Sequence, residues 1–110
     1  MFDDITDFWR SELQDALAPF RERGVTVSVV CEWVCDQWVR VAVHLDHATV
    51  IDARLFGLSE GAADDVADLL WRHRIDLLRR LRGVGANPQS LAPFLARAAW
   101  RGPSLVAAGA

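Results

Sequence analysis

The chain has 110 residues, of which 52% are apolar and 25% charged, and its formal net charge is −3 at pH 7. These values are typical of one globular domain that is long enough to bury a core without disulfide bonds or a structural metal. The chain contains no lysine, which excludes catalysis through a lysine side chain, and its net negative charge argues against a dedicated nucleic-acid-binding protein.

The first predicted element is an amphipathic helix over Asp3–Arg23. Apolar residues recur near helical spacing from Phe2 to Phe20, acidic residues occupy the first turn, and arginines occupy the last. Gly24 is suited to ending this helix, and Pro19 predicts that the last turn is kinked or separate. We expect the apolar stripe of the helix to pack against a sheet.

Three strands are predicted to follow as an antiparallel meander, over Val25–Val34, Trp38–Leu45 and Thr49–Phe56. Apolar residues recur at every second position in these segments, and side chains alternate between the two faces of a sheet. In the most consistent register, one face is almost wholly apolar and the other combines apolar with charged residues.

The first hairpin determines this register. A two-residue turn at 36–37 would mix polar and apolar residues on both faces, whereas a three-residue loop at 35–37 places the apolar residues together. The longer loop also sets Glu32 opposite Arg40 and Val34 opposite Trp38, which are favourable cross-strand pairs. We therefore predict the three-residue loop.

The second hairpin is predicted to turn through a three-residue loop at 46–48. This loop places Thr49, Ile51, Ala53 and Leu55 on the apolar face and Val50, Asp52, Arg54 and Phe56 on the other. Arg40 then lies opposite Arg54, which is a like-charge pair. Two neighbouring carboxylates, Glu32 and the diagonal Asp52, are expected to offset the repulsion between the two arginines.

We call the second face of the sheet the mixed face. An apolar centre with aromatic and arginine anchors and charged neighbours is typical of protein interfaces. The candidate binding residues are Glu32, Val34, Trp38, Arg40, Asp52, Arg54 and Phe56, with Val30, Ala42 and Val50 beside them. Three occupants of this face are open: the last helix or tail of the chain, a second copy in a homodimer, and a different protein.

A long helix is predicted from Ser59, a suitable N-cap, to Arg82. Its arginines lie all round the axis and complement the helix dipole near its end. Two acid–base pairs have the favourable four-residue spacing, Asp68 with Arg72 and Asp76 with Arg80. We interpret this surface as solvated, and a nucleic-acid-binding module built on helix 59–82 is the alternative. Arg74 falls within the apolar arc, so it should reach solvent, a carboxylate or a carbonyl.

A last helix is predicted between Pro88 and Arg101. The glycines at 83 and 85 are suited to ending the long helix, and Asn87 followed by Pro88 is suited to starting the next. Leu91, Phe94 and Leu95 would form its apolar face. The small residues of 104–110 are predicted to form a flexible tail.

Cys31, Cys35, His44 and His47 have a spacing that superficially resembles a zinc site with two cysteines and two histidines. A zinc ion needs its donor atoms within about 2.3 Å, whereas the hairpin sets Cys35 and His44 roughly 20 Å apart at about 3.3 Å per residue. A disulfide between Cys31 and Cys35 is also disfavoured, because roughly 13 Å of strand exceeds the ~7 Å limit between the Cα atoms. We predict a buried thiol at Cys31 and a more exposed one at Cys35.

Together these patterns predict an α+β fold, a three-stranded antiparallel meander with an N-terminal helix and two C-terminal helices, in the order αβββαα. Residues 1–103 would form one domain. The chain has no membrane-length apolar run, no signal-peptide pattern and no nucleophile–base motif, so we expect a cytoplasmic, non-catalytic protein without a cofactor. The predicted function is binding another protein, as bacterial or phage inhibitors, immunity proteins, chaperones and anti-defence proteins such as anti-CRISPRs do. The alternatives are a nucleic-acid-binding module and a small zinc-binding protein.

Overall fold

The computed structural model describes residues 2–57 and 62–96, with side chains at 5–57 and 65–96. The elements in chain order are α1 (Phe2–Ala16), α2 (Ala18–Glu22), β1 (Val27–Trp33), β2 (Trp38–Leu45), β3 (Ala48–Phe56), α3 (Ala62–Arg72), α4 (Arg74–Gly83) and a 3₁₀ helix (Pro88–Leu91). Residues 92–96 continue as helix. This arrangement confirms the predicted α+β fold, whereas Ser59 and the predicted tail at 104–110 lie outside the described residues.

The sheet is antiparallel in the order β1-β2-β3, which is the predicted meander. In the first hairpin Glu32 lies opposite Arg40 and Val27 lies opposite Leu45, so the predicted register is confirmed. The register places the valines of β2 on the core face, where Val39, Val41 and Val43 are fully buried. The alternation of the sequence therefore determines which face of β2 meets the helices.

The second hairpin differs from the prediction at its turn. Leu45 lies opposite Ala48, so the turn contains two residues, Asp46 and His47, instead of three. Asp46 has a φ of 54°, a left-handed conformation that aspartate tolerates better than most residues. Its Oδ1 accepts a hydrogen bond from the backbone N–H of Thr26 at 3.0 Å, which ties the turn to the start of β1.

A β-bulge compensates for the shorter turn. The register shifts between Val43 and His44, and from Ile51 to Phe56 β3 follows the predicted pairing. The bulge exchanges the two residues before Ile51: Thr49 lies on the mixed face and Val50 packs partly against the core. The faces predicted for Thr49 and Val50 are therefore wrong, because one extra residue in a strand reverses the alternation on its far side.

The N-terminal helices cover the apolar face of the sheet. Trp9 and Leu13 of α1 and Phe20 of α2 are buried in the same core as the strands, as the apolar stripe predicted. The helix is interrupted at Leu17, which confirms the separate last turn expected from Pro19. Gly24 follows with a φ of 83°, a conformation that favours glycine.

The predicted long helix over 59–82 is wrong in one respect, since the structure breaks it at His73 into α3 and α4. The backbone N–H of His73 is shared between the carbonyls of Leu69 and Leu70, at 3.3 and 3.2 Å. Its ring Nδ1 also lies 2.9 Å from the Leu69 oxygen. The side chain thus competes for the carbonyl that a continuous helix would give to the backbone.

Arg74 lies directly after this break, and its predicted behaviour is confirmed. The guanidinium donates to the backbone oxygen of Trp71 at 2.8 Å and lies over the indole ring, 4.1 Å from its centroid. The carbonyl and the aromatic face together replace part of the water that burial removes.

The described part of the last helix joins the core. Asn87 accepts a hydrogen bond from the backbone N–H of Gln89 at 3.0 Å, so it starts this segment as predicted. Leu91 is fully buried, and Phe94 and Leu95 pack against the core cluster. The part of the chain that the structure describes contains no helix both long and apolar enough to cross a membrane.

Candidate functional site: the mixed face of the sheet

The structure brings all seven predicted binding residues onto one face of the sheet. Glu32, Arg40 and Arg54 form a row across the three strands. Trp38 and Phe56 are paired in the next row, where the backbone N–H of Val34 donates to the Trp38 carbonyl at 2.9 Å. Asp52 lies one row further on, opposite Ala42.

The row nearest the first hairpin is apolar and open. Trp38 is 42% exposed, and Val34 and Phe56 are each 41% exposed. The Trp38 and Phe56 rings meet edge to face, with their centroids 5.5 Å apart and an angle of 69° between the planes. Both rings are thus held in place by each other and still present a surface to solvent.

The charged row beside it is centred on Arg40. Nε and Nη2 of Arg40 donate to the two carboxylate oxygens of Asp52, each at 3.2 Å, and Nη1 lies 3.6 Å from Glu32 Oε1. The two-point geometry fixes the plane of the guanidinium. Hydrogen bonding to Arg40 lowers the pKa of Asp52, and the same contact raises the pKa of Arg40. The contact therefore favours the charged form of both Asp52 and Arg40.

Arg54 stands apart within this row. It lies opposite Arg40 in the register, as predicted, and its side chain is exposed. Among the described residues it makes no ion pair within 4.0 Å, although its charge contributes to the lowered pKa of Asp52. Each oxygen of Asp52 accepts one hydrogen bond from Arg40 and can still accept another, and the guanidinium of Arg54 can meet a carboxylate from another chain.

The half of the mixed face nearer the second turn is polar and offers little exposed apolar surface. Ala42 is only 1% exposed, and Val30 is half-buried, so neither adds much apolar surface. Two residues of this half, His44 and Thr49, were absent from the predicted site. Thr49 Oγ1 lies 3.0 Å from His44 Nδ1 across the bulge. The sequence would predict this pair only if the second turn were known to contain two residues, because that length places Thr49 opposite His44.

The residues of the apparent zinc spacing are separated by the sheet. Cys31 lies in the core and Cys35 is exposed beyond the end of β1, which confirms the two predicted thiol environments. His44 lies on the mixed face, and His47 lies in the second turn. Among the residues that the structure describes, no three histidine, cysteine or acidic side chains form a group able to hold a metal.

Burial raises the pKa of the Cys31 thiol to about 11, and the nearby Arg10 opposes this shift only in part. The thiol is therefore neutral at physiological pH. A neutral, enclosed thiol is a poor nucleophile and a poor metal ligand.

The arginines of α3 and α4 are divided between internal contacts and solvent. Arg74 is engaged with Trp71, and Arg80 Nε donates to Asp76 Oδ2 at 2.8 Å, which confirms one of the two predicted pairs. Arg72, Arg79 and Arg82 are exposed. The break at His73 means that these three do not form one helical face.

The mixed face therefore combines a fixed aromatic pair, an ordered charged network and Arg54, which has no ion pair with another described residue. Comparison of the chain with protein families, with curated proteins and with solved structures found no match.

Proposed function

We propose that the protein acts without catalysis, by binding another protein through the mixed face. The observation that carries this proposal is the row of three large apolar side chains, Val34, Trp38 and Phe56, each about two-fifths exposed. Large exposed apolar groups that lie together on a rigid sheet mark interaction sites more often than scattered ones do.

The composition of the face supports a protein as the partner. Tryptophan and arginine are the residues that most often dominate binding energy at interfaces, and here Trp38 and Arg40 are adjacent along one strand. Both are already ordered, Trp38 by Phe56 and Arg40 by Asp52. Little side-chain freedom would be lost on binding, which favours affinity.

The charged row would supply specificity. A partner must place apolar surface over Trp38 and Phe56 and groups of complementary charge beside Glu32 and Arg40. Charges around an apolar centre exclude partners of the wrong pattern and guide the encounter. Such a face is suited to a cytoplasmic bacterial or phage protein of the inhibitor, immunity, chaperone or anti-defence type.

The test is affinity capture with the full chain and two double variants. Trp38→Ala with Arg40→Ala removes the proposed contacts, and Arg79→Ala with Arg82→Ala removes two exposed arginines from α4 as a matched control. We expect a protein that the wild type and the control retain and that the first variant loses by about a hundredfold or more in affinity, as two anchor residues imply. The captured protein is then purified, and its affinity for each variant is measured by calorimetry.

Two results would contradict the proposal. One is a captured protein that binds the Trp38→Ala, Arg40→Ala variant as tightly as the wild type. The other is salt-sensitive binding of DNA or RNA that disappears with the α4 control variant, since this would indicate a nucleic-acid-binding module instead.

A further inference from the structure

The two edge strands of the sheet, β1 and β3, differ in what lies beside them. Along β1, Arg10 of α1 reaches over the strand, and its Nη2 donates to the backbone oxygen of Cys31 at 3.1 Å. β3 makes extensive contact with β2 alone among the described elements. The β1 edge is therefore lined by α1, whereas the elements that the structure describes leave the β3 edge open.

The hydrogen-bond ladder identifies the groups on the open edge. Val34 N–H donates to the Trp38 oxygen at 2.9 Å, and Gly57 N–H donates to the Gln37 oxygen at 2.7 Å. Even-numbered residues of β2 thus bond to β1, and odd-numbered residues bond to β3. It follows that the backbone N–H and C=O groups of Asp52, Arg54 and Phe56 point away from β2, towards the open edge.

The side chains at this edge carry complementary charges two residues apart. Asp52 and Arg54 both project onto the mixed face, and Arg54 lies opposite the like charge of Arg40. An added strand that set a carboxylate beside Arg54 would give it the partner that it lacks among the described residues.

We propose that a second copy of the chain supplies this strand, so that two β3 strands pair antiparallel about a two-fold axis at Ala53 and form a six-stranded sheet. In this register Asp52 lies opposite Arg54 of the second copy, and the symmetry repeats the pair. The neighbouring registers with matched backbone groups would set Asp52 against itself or Arg54 against itself. The charges therefore select one alignment, as cross-strand pairs do in other sheets.

This dimer goes beyond the proposed partner binding and does not depend on it. A two-fold axis perpendicular to the sheet leaves both mixed faces on the same side. Trp38 and Phe56 of each copy therefore stay available, and the two faces become one continuous surface.

The test measures the mass of the full chain by sedimentation equilibrium over a wide range of concentrations. We expect a reversible dimer whose dissociation constant rises about tenfold or more in Arg54→Glu, because two attractive pairs become repulsive. Arg54→Pro should also prevent pairing, since it removes an N–H that points outward and leaves the bonds to β2 in place. Arg79→Glu makes the same charge change on α4 and should leave the dimer intact.

Hydrogen exchange gives a second readout. Above the dissociation constant the amides of Asp52, Arg54 and Phe56 should exchange more slowly than in dilute protein, whereas the outward amides of β1 should not change. A wild-type chain that stays monomeric at millimolar concentration would overturn the proposal. So would a dimer that Trp38→Ala dissociates and Arg54→Glu does not, since that dimer would use the mixed face.

Discussion

Trp38 and Phe56 are direct cross-strand neighbours of β2 and β3, and their rings pack edge to face with centroids 5.5 Å apart. Such a contact contributes roughly 0.5–1.5 kcal/mol beyond the area that it buries. Because both rings stay about two-fifths exposed, the fold uses only part of their apolar surface. The remaining surface is what we assign to a partner.

Two tryptophans should therefore differ in how much they contribute to stability: Trp38, on the mixed face, and Trp9, in the core. Trp38→Ala is expected to lower the free energy of unfolding by about 2 kcal/mol, since it loses an aromatic contact and partly buried area. Trp9→Ala, at a position with no exposed surface, is expected to cost about 3–5 kcal/mol. Urea denaturation of both variants checks the difference, and equal losses would mean that Trp38 belongs to the core.

Gly57 is predicted to reject even a methyl group. A Cβ added there would overlap the Trp33 indole ring and approach Val39 Cγ2 to 3.1 Å. Gly57→Ala should therefore destabilise the fold by about 1–3 kcal/mol, measured by thermal and urea unfolding. Gly83→Ala is the matched control, because no atom lies within 4 Å of its added Cβ, and it should be neutral or slightly stabilising.

The two cysteines should differ sharply in reactivity. Cys35 is exposed, whereas Cys31 is buried and its thiol pKa is raised to about 11. A thiol-specific reagent at neutral pH should modify one cysteine rapidly in the native protein and the second only after unfolding. Cys35→Ser should remove the rapid phase, and rapid modification of that variant would show that Cys31 is accessible.

The raised pKa of Cys31 also has a consequence for alkaline stability. The thiol ionises at a lower pH in the unfolded chain than in the native one, so the native state keeps its proton to a higher pH. Its contribution to stability is complete below the ordinary thiol pKa of about 8.5 and is lost as the pH rises towards about 11. Cys31→Ala should flatten the dependence of the unfolding free energy on pH in this window.

Asp52 should have the opposite dependence in acid. Hydrogen bonding to Arg40 lowers its pKa in the native state, so its contribution is present above the unfolded value of about 3.9 and is lost as the pH falls through the native value. Asp52→Asn should reduce the difference in unfolding free energy between about pH 6 and about pH 3. Asp15→Asn removes an exposed carboxylate from α1 and should reduce this difference less.

The first hairpin and the mixed face were predictable because alternation is a strong constraint. Shifting Trp38–Leu45 by one residue would bury Arg40 and expose Val39, so a single register satisfied the pattern. The same constraint predicts from the sequence that Glu32, Arg40 and Asp52 lie together. The side-chain geometry of that cluster, with two oxygens of Asp52 on Arg40, depends on rotamers that a pattern does not specify.

The second turn and the break at His73 were not predictable from the same pattern. Thr49 and Val50 are both tolerated on either face of a strand, so the alternation carried no information about the bulge beside them. At His73 the apolar spacing continues from Leu70 to Leu77 as if the helix were unbroken. The His73 ring shares the Leu69 carbonyl with the backbone at the break, and such a local contact leaves no trace in the periodicity.

The contact between Arg10 and the Cys31 carbonyl would limit the assembly to a dimer if the chain pairs as we propose. A sheet with two open edges can join β3 of one copy to β1 of the next, and such head-to-tail contacts repeat without end and give fibres. Here α1 already occupies the edge that the repeat would need. In the proposed dimer, edge pairing would thus be confined to the two β3 strands, and no β3 edge would remain for a third copy.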